Sequence, residues 1–396
     1  MSDPSSTFSS TSSPSSHRGP SRVPRRAVVG GLGATAAAAV LAPVVSAATS
    51  SSPEPSGDSA GSPGRTESVP ETRATAAATS AGVQRAEFPI QYLGLTWSGS
   101  KRGASIRFHQ EDGAIDTWHN LIAGCACGVD GAELSDSAKA AAVLVPAGGA
   151  FGYEVSLPDG AERARLIAID AKDGPVREVA LPAELPQMWG LKYLSRAAWG
   201  ADEKKRFYKN GTESSPPKYF PAQALTVHHT VTPNNDPDPA ATVRAIYEQH
   251  ASPDFEDFGD IGYHFLIDEA GRVYEGRWSG EDGIPAHDKN GNVVTAFHTK
   301  GYNSGNLGIA LLGTFNEQQP TDAARRALVG LLARLAKAHK FNPEANITFT
   351  NPVDGAKKGV PLISGHRDWL ATECPGGTLY NALPALRGDV AALVTR

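Results

Sequence analysis

Two short runs in the second half of the chain constrain its fold most. ALTVHHT (residues 224–230) and NLGIALLGTF (306–315) carry no charge and no clean polar alternation. A strand of that kind has no face to offer water, so it belongs inside a sheet covered on both sides. Material for the cover stands close by. TDAARRALVGLLARLAKAHK (321–340) sets Leu328, Leu331, Leu332 and Leu335 on one helical face behind Thr321 as N-cap. DPAATVRAIYEQH (238–250) opens on Asp-Pro, a favourable helix start. GYHFLIDEAGRVYEGR (262–277) predicts a hairpin, strand–Ala-Gly–strand. Strands alternating with helices from Gly190 to the C-terminus imply an α/β fold, a central mixed β-sheet flanked by helices.

The N-terminal part has a different texture. Residues 1–26 are rich in Ser and Pro and end in Arg25-Arg26; an uncharged Ala/Gly-rich run follows and closes on VSA before Ala48. That pattern predicts an export signal of the twin-arginine type over 1–47, cleaved near Ala47, with the general secretory route open as well. A retained membrane anchor is the alternative; Gly, Ala and Pro43 make the run weakly hydrophobic for that role. Residues 48–84 contain no aromatic residue and only two valines, so they predict a disordered linker. The chain carries a net charge of −5, and without residues 1–47 it would hold 33 basic against 41 acidic residues, a net of −8. That balance argues against a nucleic-acid binder, which carries a clustered basic excess.

Between about Arg85 and Pro186, runs such as FPIQYLGLTW, AAAVLVP and ARLIAIDA are separated by Gly, Asp and Pro, predicting a small β-rich accessory domain over 85–186. Its one chemical feature is GCACGVDG, with Cys125 and Cys127 one residue apart. A local disulfide or a pair of thiols is the plain reading, and a metal site drawing on His109 and His119 is the alternative.

Eight of the eleven histidines lie between His228 and His366. GHRDWLATECPGG (365–377) sets His366 eight positions before Cys374, on a loop braked by Pro375-Gly376-Gly377. A histidine and a thiolate so placed could share a metal, with His228 at the end of a buried strand as third ligand and water in the fourth position. The spacing matches no standard zinc finger, and a packed histidine beside a buried free cysteine remains the alternative.

Six stretches, in order, carry a resemblance: LSRAAWGA (194–201), LTVHHT (225–230), GYHFLID (262–268), GRVYEGR (271–277), FHTKGYNSGNLGIALLG (297–313) and SGHRDWLATECPGG (364–377). Together they resemble the superfamily of peptidoglycan recognition proteins and type-2 N-acetylmuramoyl-L-alanine amidases, over about residues 190–396. The resemblance implies one Zn2+ per chain held by His228, His366 and Cys374. It implies Tyr263 and Thr372 as catalytic residues, and His298, Tyr302 and Asn303 as substrate contacts in a groove-lining loop. It further implies a zinc amidase that hydrolyses the bond between N-acetylmuramic acid and L-alanine, with peptidoglycan or muropeptides as partner; together with the export signal, a secreted, cell-wall-associated enzyme is expected. A non-catalytic recognition module and a zinc endopeptidase on the same scaffold are the alternatives. No nucleic acid and no stable membrane anchor after cleavage are expected, and a monomer is the default. The likeness stops near Trp189, so the β-rich domain is expected only as a wall- or surface-attachment module. Among the other histidines, His229 and His264 are expected inside the sheet with satisfied nitrogens, His250 and His339 as surface residues complementing helix C-termini. His287 is left without a role.

Overall fold

The structure is a computed structural model and describes residues 64–77, 82–100, 103–121, 140–281 and 284–395. Among these, β1 (Arg65–Pro70), β2 (Arg73–Ala77), β3 (Gln84–Ser98), β4 (Ser105–His109), β5 (His119–Asn120), β6 (Ala140–Ser156), β7 (Glu162–Asp170) and β8 (Val176–Leu181) come first. Six of them form an antiparallel sheet in the order β2-β7-β3-β6-β4-β5, while β1 pairs with β8. Leu93, Leu95 and Trp97 of β3 pack with Ile106, Phe108, Tyr153 and Leu166 into a core of its own.

One expectation needs correction here. The linker expected over 48–84 does not extend across its range, since 65–70 and 73–77 are strands. Composition misleads at this point because an edge strand is held by main-chain hydrogen bonds and needs few apolar side chains. Arg73 also forms an ion pair with the fully buried Asp170, and Val69 packs against Val179 and Leu181. The sheet of 85–186 also packs against 190–396. All described residues fall within one compact unit, and Tyr92, Ile167, Ile169 and Ala171 share a core with Trp199, Ile246, Tyr247 and Phe255. The Tyr92 hydroxyl meets Thr242 Oγ1 at 2.6 Å, and Arg244 donates to Ala171 O at 2.8 and 3.1 Å and to Trp199 O at 3.0 Å. The export signal, the linker before residue 64, and Cys125 and Cys127 lie outside the described residues.

A short hairpin of β9 (Gln187–Met188) and β10 (Leu191–Lys192) leads into α1 (Arg196–Trp199), then β11 (Tyr219–Phe220), β12 (Ala224–His229) and α2 (Pro239–Ala251). β13 (Phe265–Ile267), β14 (Val273–Glu275), β15 (Val293–Val294) and β16 (Asn306–Leu311) follow. The chain closes with α3 (Asp322–Ala338), β17 (Asn346–Thr350), β18 (Lys357–Pro361), β19 (Ile363–Gly365) and α4 (Gly377–Val394). The central sheet runs β14-β13-β16-β12-β19. β12 is parallel to β16 and β19, β13 is parallel to β16, and only β14 runs against its neighbour, so the sheet is mixed.

The two-residue period of the strands sorts its faces. Leu225 and Val227, Leu307 and Ile309, and Phe265 and Ile267 point toward α3 and α4, where Leu328, Leu331, Leu332, Leu335 and Leu383 meet them. Each such leucine contributes about 1.5–3 kcal/mol by leaving water. Leu266 and Ala310 point the other way, toward Ile246 and Tyr247 of α2. α2 and α3 start where the sequence predicts: Asp238 Oδ1 accepts from Ala241 N–H at 3.1 Å and Thr321 Oγ1 from Ala324 N–H at 3.1 Å. The LSRAAWGA stretch works as a buckle beneath the β13–β14 hairpin. Arg196, 3% exposed, donates to Asp260 at 2.9 Å, to Gly276 O at 2.6 Å and to Glu203, and Trp199 Nε1 donates to Glu275 O at 2.7 Å.

Candidate metal centre

β12 ends in His228 and His229, and β19 runs straight into His366. In their parallel register Leu225 lies opposite Ile363, Thr226 opposite Ser364 and Val227 opposite Gly365. The next position in that register brings His228 beside His366 at the carboxyl edge of the sheet, with ring centroids 4.5 Å apart. Cys374 returns to them on the loop that follows the turn His366–Asp368. Arg367 N–H donates to Cys374 O at 3.0 Å, closing that loop. Cys374 N–H donates to Thr372 Oγ1 at 3.2 Å, and His229 N–H donates to Cys374 Sγ at 3.4 Å. The sulfur ends 3.6 Å from His228 Nδ1. One ligand atom from each of His228, His366 and Cys374 lies within 4.8 Å of the others, and all three residues are buried.

The donor set can be tested against an ion. Two imidazoles and one thiolate are borderline-soft donors of the kind zinc takes. Zinc–sulfur and zinc–nitrogen bonds of ordinary length, opened at a tetrahedral angle, hold S and N roughly 3.5 Å apart; the His228–Cys374 pair stands at 3.6 Å. Three protein ligands are the number found where one position stays open for water or substrate. The residues fit zinc.

Protonation suits this as well. Burial, then the facing His366 and His298, push the His228 pKa well below its usual value. His228 is therefore neutral, the form that can ligate a metal. Which nitrogen is bare follows from the partners behind it. His298 Nε2 lies 2.9 Å from the Asn306 carbonyl, which only accepts, so Nε2 carries the His298 proton. His298 Nδ1 is then an acceptor, 2.9 Å from His228 Nε2 and 2.8 Å from the Thr299 hydroxyl. His228 Nε2–H must donate to it, which leaves His228 Nδ1 bare on the side facing Cys374. His298 stays neutral in this chain because burial, then His264, push its pKa well below the usual value.

His298 and Asn303 thus differ from their expected place as groove contacts. Both are 0% exposed. His298 stands behind His228, and Asn303 Oδ1 accepts from His298 N–H at 3.0 Å and Thr299 N–H at 2.7 Å, folding the loop from inside. The resemblance pointed to the right loop, but the parallel sheet turns it inward. Tyr302 is half-buried and packs on Trp369 and Phe349, with ring centroids 5.5 and 6.2 Å away, in a satellite cluster. Tyr263 is brought to the centre, its ring 5.4 Å from that of His228, and Thr372 is held two residues before the sulfur. The role of His298 as a brace was missed from sequence. Its only linear trace is Gly308: a Cβ there would sit 2.5 Å from His298 Cγ, so the strand must leave room for the imidazole.

The remaining histidines divide. His264 has the satisfied nitrogens expected of it, donating to Val294 O at 2.7 Å and accepting from Gly308 N–H at 2.9 Å, and His229 Nδ1 accepts from Phe315 N–H at 3.2 Å. His250 is not a surface cation. It is buried, accepts from Gly262 N–H at 3.0 Å, and burial pushes its pKa down to about 3. His339 caps α3 but stacks on His287 and Phe341, and burial, then His287, lower its pKa to about 4, so it carries no charge for the helix dipole. Both depart from the expected role because neighbouring loops cover the helix ends.

Among known proteins, the family described as N-acetylmuramoyl-L-alanine amidase matches residues 218–377. A peptidoglycan recognition protein of Trichoplusia ni is 32% identical over 165 residues, covering 41% of this chain and 74% of its own length. An N-acetylmuramoyl-L-alanine amidase of Sus scrofa is 30% identical over 196 residues, covering 48% of this chain and 26% of its own. The solved structure of Drosophila peptidoglycan recognition protein SA shares 26% identity, covering 48% of this chain and 90% of that one, with a TM-score of 0.35. The chain spans about a quarter of the pig and human amidases it matches, and about half of mouse peptidoglycan recognition protein 3.

Proposed function

The chain belongs to the family of N-acetylmuramoyl-L-alanine amidases and peptidoglycan recognition proteins, and from that premise we propose that it is a secreted, zinc-dependent hydrolase cleaving the amide between N-acetylmuramic acid and L-alanine in peptidoglycan. The single observation that carries this reading is the buried His228–His366–Cys374 set, whose ligand atoms converge within 4.8 Å. Those three residues would hold the ion. Bound zinc would supply a Lewis acid and a nucleophile available at neutral pH, which an unactivated amide requires. The chain's own groups do the positioning. His298 and the Asn306 carbonyl hold His228 in the tautomer whose Nδ1 faces Cys374. Tyr263, its ring 5.4 Å from His228, and Thr372 would donate hydroxyl protons toward the oxygen of the reacting carbonyl as charge develops on it. Losing one such donor costs about 2.7–4 kcal/mol in the barrier.

The test is zinc content together with muropeptide digestion, on the full chain and its Cys374→Ser variant. One zinc per chain and release of L-alanine-terminated peptides by the parent, with both lost in the variant, is the expected result. Binding of muropeptides with no zinc and no release would replace this reading with a recognition protein. Cleavage inside the stem peptide would make the protein an endopeptidase.

A further inference from the structure

A cleft of about 500 Å3 opens between the N-terminal sheet and the metal-bearing edge of the central sheet. Its size falls in the range of sites that hold a small ligand. One wall comes from β4, β5 and the loop between them: Phe108, Gln110 and Asn120, with Asp116 and His119 hydrogen-bonded to each other at 2.6 Å. β6 forms the floor, from Val143 to Gly148. The opposite wall is Val231 and Thr314, from the loops that leave β12 and β16.

That opposite wall ties the cleft to the metal centre. Val231 follows His228 by three residues, so their Cα atoms lie within about 11 Å along the chain. Thr314 precedes Phe315, whose N–H donates to His229 at 3.2 Å. Val231 also sits at φ 58°, a left-handed conformation that a β-branched residue rarely adopts. The strain is held by a bond from Val231 N–H to Gly313 O at 3.0 Å and by the Thr230 and Thr232 hydroxyls on Gly313 N–H at 3.1 and 3.0 Å. Strain kept under that much restraint marks a loop whose shape is used.

We infer that this cleft binds the uncharged N-acetylated sugars of the glycan strand, so that the N-terminal sheet supplies part of the substrate site. The inference rests on the amidase reading above. Charge decides between the two arms of the substrate. Among the described residues no lysine or arginine lines the cleft, and its one carboxylate, Asp116, would repel the free carboxylates of a stem peptide. The amides of Gln110 and Asn120 are instead the donors and acceptors, and exposed Pro146 with half-buried Val231 the apolar face, that an N-acetylhexosamine uses.

The experiment titrates the full chain with a β-1,4-linked N-acetylglucosamine trimer and, separately, with a sugar-free stem peptide, following binding by calorimetry. The same titrations are made on Gln110→Ala/Asn120→Ala, two positions outside the buried core, with the urea midpoint and zinc content confirming that the variant is folded. Trimer binding that weakens about tenfold in the double variant supports the site, since two hydrogen bonds are lost. Equal trimer affinity in both proteins, or no trimer binding at all, overturns it. Stem-peptide binding that weakens in the double variant also overturns it, by giving the cleft the other occupant. Muropeptide hydrolysis by the parent is scored separately. A parent that hydrolyses nothing but binds the trimer through Gln110 and Asn120 removes the amidase reading and leaves the glycan site standing.

Discussion

Replacing His298 by Phe should loosen the metal without touching a ligand. The substitution keeps a flat ring in the same fully buried space but removes both nitrogens. His228 Nε2–H then loses its acceptor, and the Asn306 carbonyl loses the N–H that now stands 2.9 Å from it. His228 is left able to turn, which takes Nδ1 away from Cys374, or to change tautomer, which puts a proton on Nδ1 and removes its lone pair from the site. Partners behind a metal ligand are worth about 10–100-fold in metal affinity, which is about 1.4–2.7 kcal/mol. Two net hydrogen bonds at about 1 kcal/mol each give the same size. His298→Gln should recover part of the loss, because its amide oxygen can accept from His228 and its NH2 can donate to Asn306. Gly308→Ala attacks the same brace from below: its Cβ would sit 2.5 Å from His298 Cγ and 2.6 Å from Nδ1, in a strand with no room to yield. The assay is equilibrium competition for zinc against a chelator, with urea unfolding alongside to confirm folded protein. A folded His298→Phe variant that holds zinc as tightly as the parent would refute the brace, as would equal losses in the Phe and Gln variants.

Stability should fall as the solution is acidified below about pH 6.5. Burial lowers both His250 and His264 to about 3, so between about pH 6.5 and 3 the unfolded chain binds protons that the folded chain does not. Each contributes a loss of about 1.4 kcal/mol per pH unit in that window, and urea midpoints at pH 7, 6 and 5 should show His250→Gln to be less acid-sensitive than the parent. Arg196→Ala should cost about 3–5 kcal/mol, because Asp260, 4% exposed at its side chain, loses its buried cation; an unchanged thermal midpoint would mean the LSRAAWGA buckle carries no load. Leu331→Ala, at a position with no exposed surface on the α3 face, should cost about 2–5 kcal/mol while leaving zinc affinity at its parent value, since it packs on the sheet face away from His228.

Much of the C-terminal half was legible in one dimension. The uncharged strands β12 and β16, the hairpin, and the stripe of Leu328, Leu331, Leu332 and Leu335 show themselves through periods of 2 and 3.6, which depend only on near neighbours in the chain. The candidate ligands His228, His366 and Cys374 were legible through the family resemblance of their local motifs. What the sequence could not show is what lies across from what. His228 and His366 meet because β12 and β19 run parallel in one register, across 138 residues of chain. His298 turns inward because Gly308 clears a space for it, and Asn303 is spent on the loop's own N–H groups. His250 loses its surface to Gly262 and Phe258. The strands at 65–77 and the core that joins Ile169 to Ile246 likewise depend on partners about a hundred residues away. Local pattern determined the elements and the chemistry available; long-range pairing and burial decided which imidazole stands beside the Cys374 thiol and His366, and which one stands behind it.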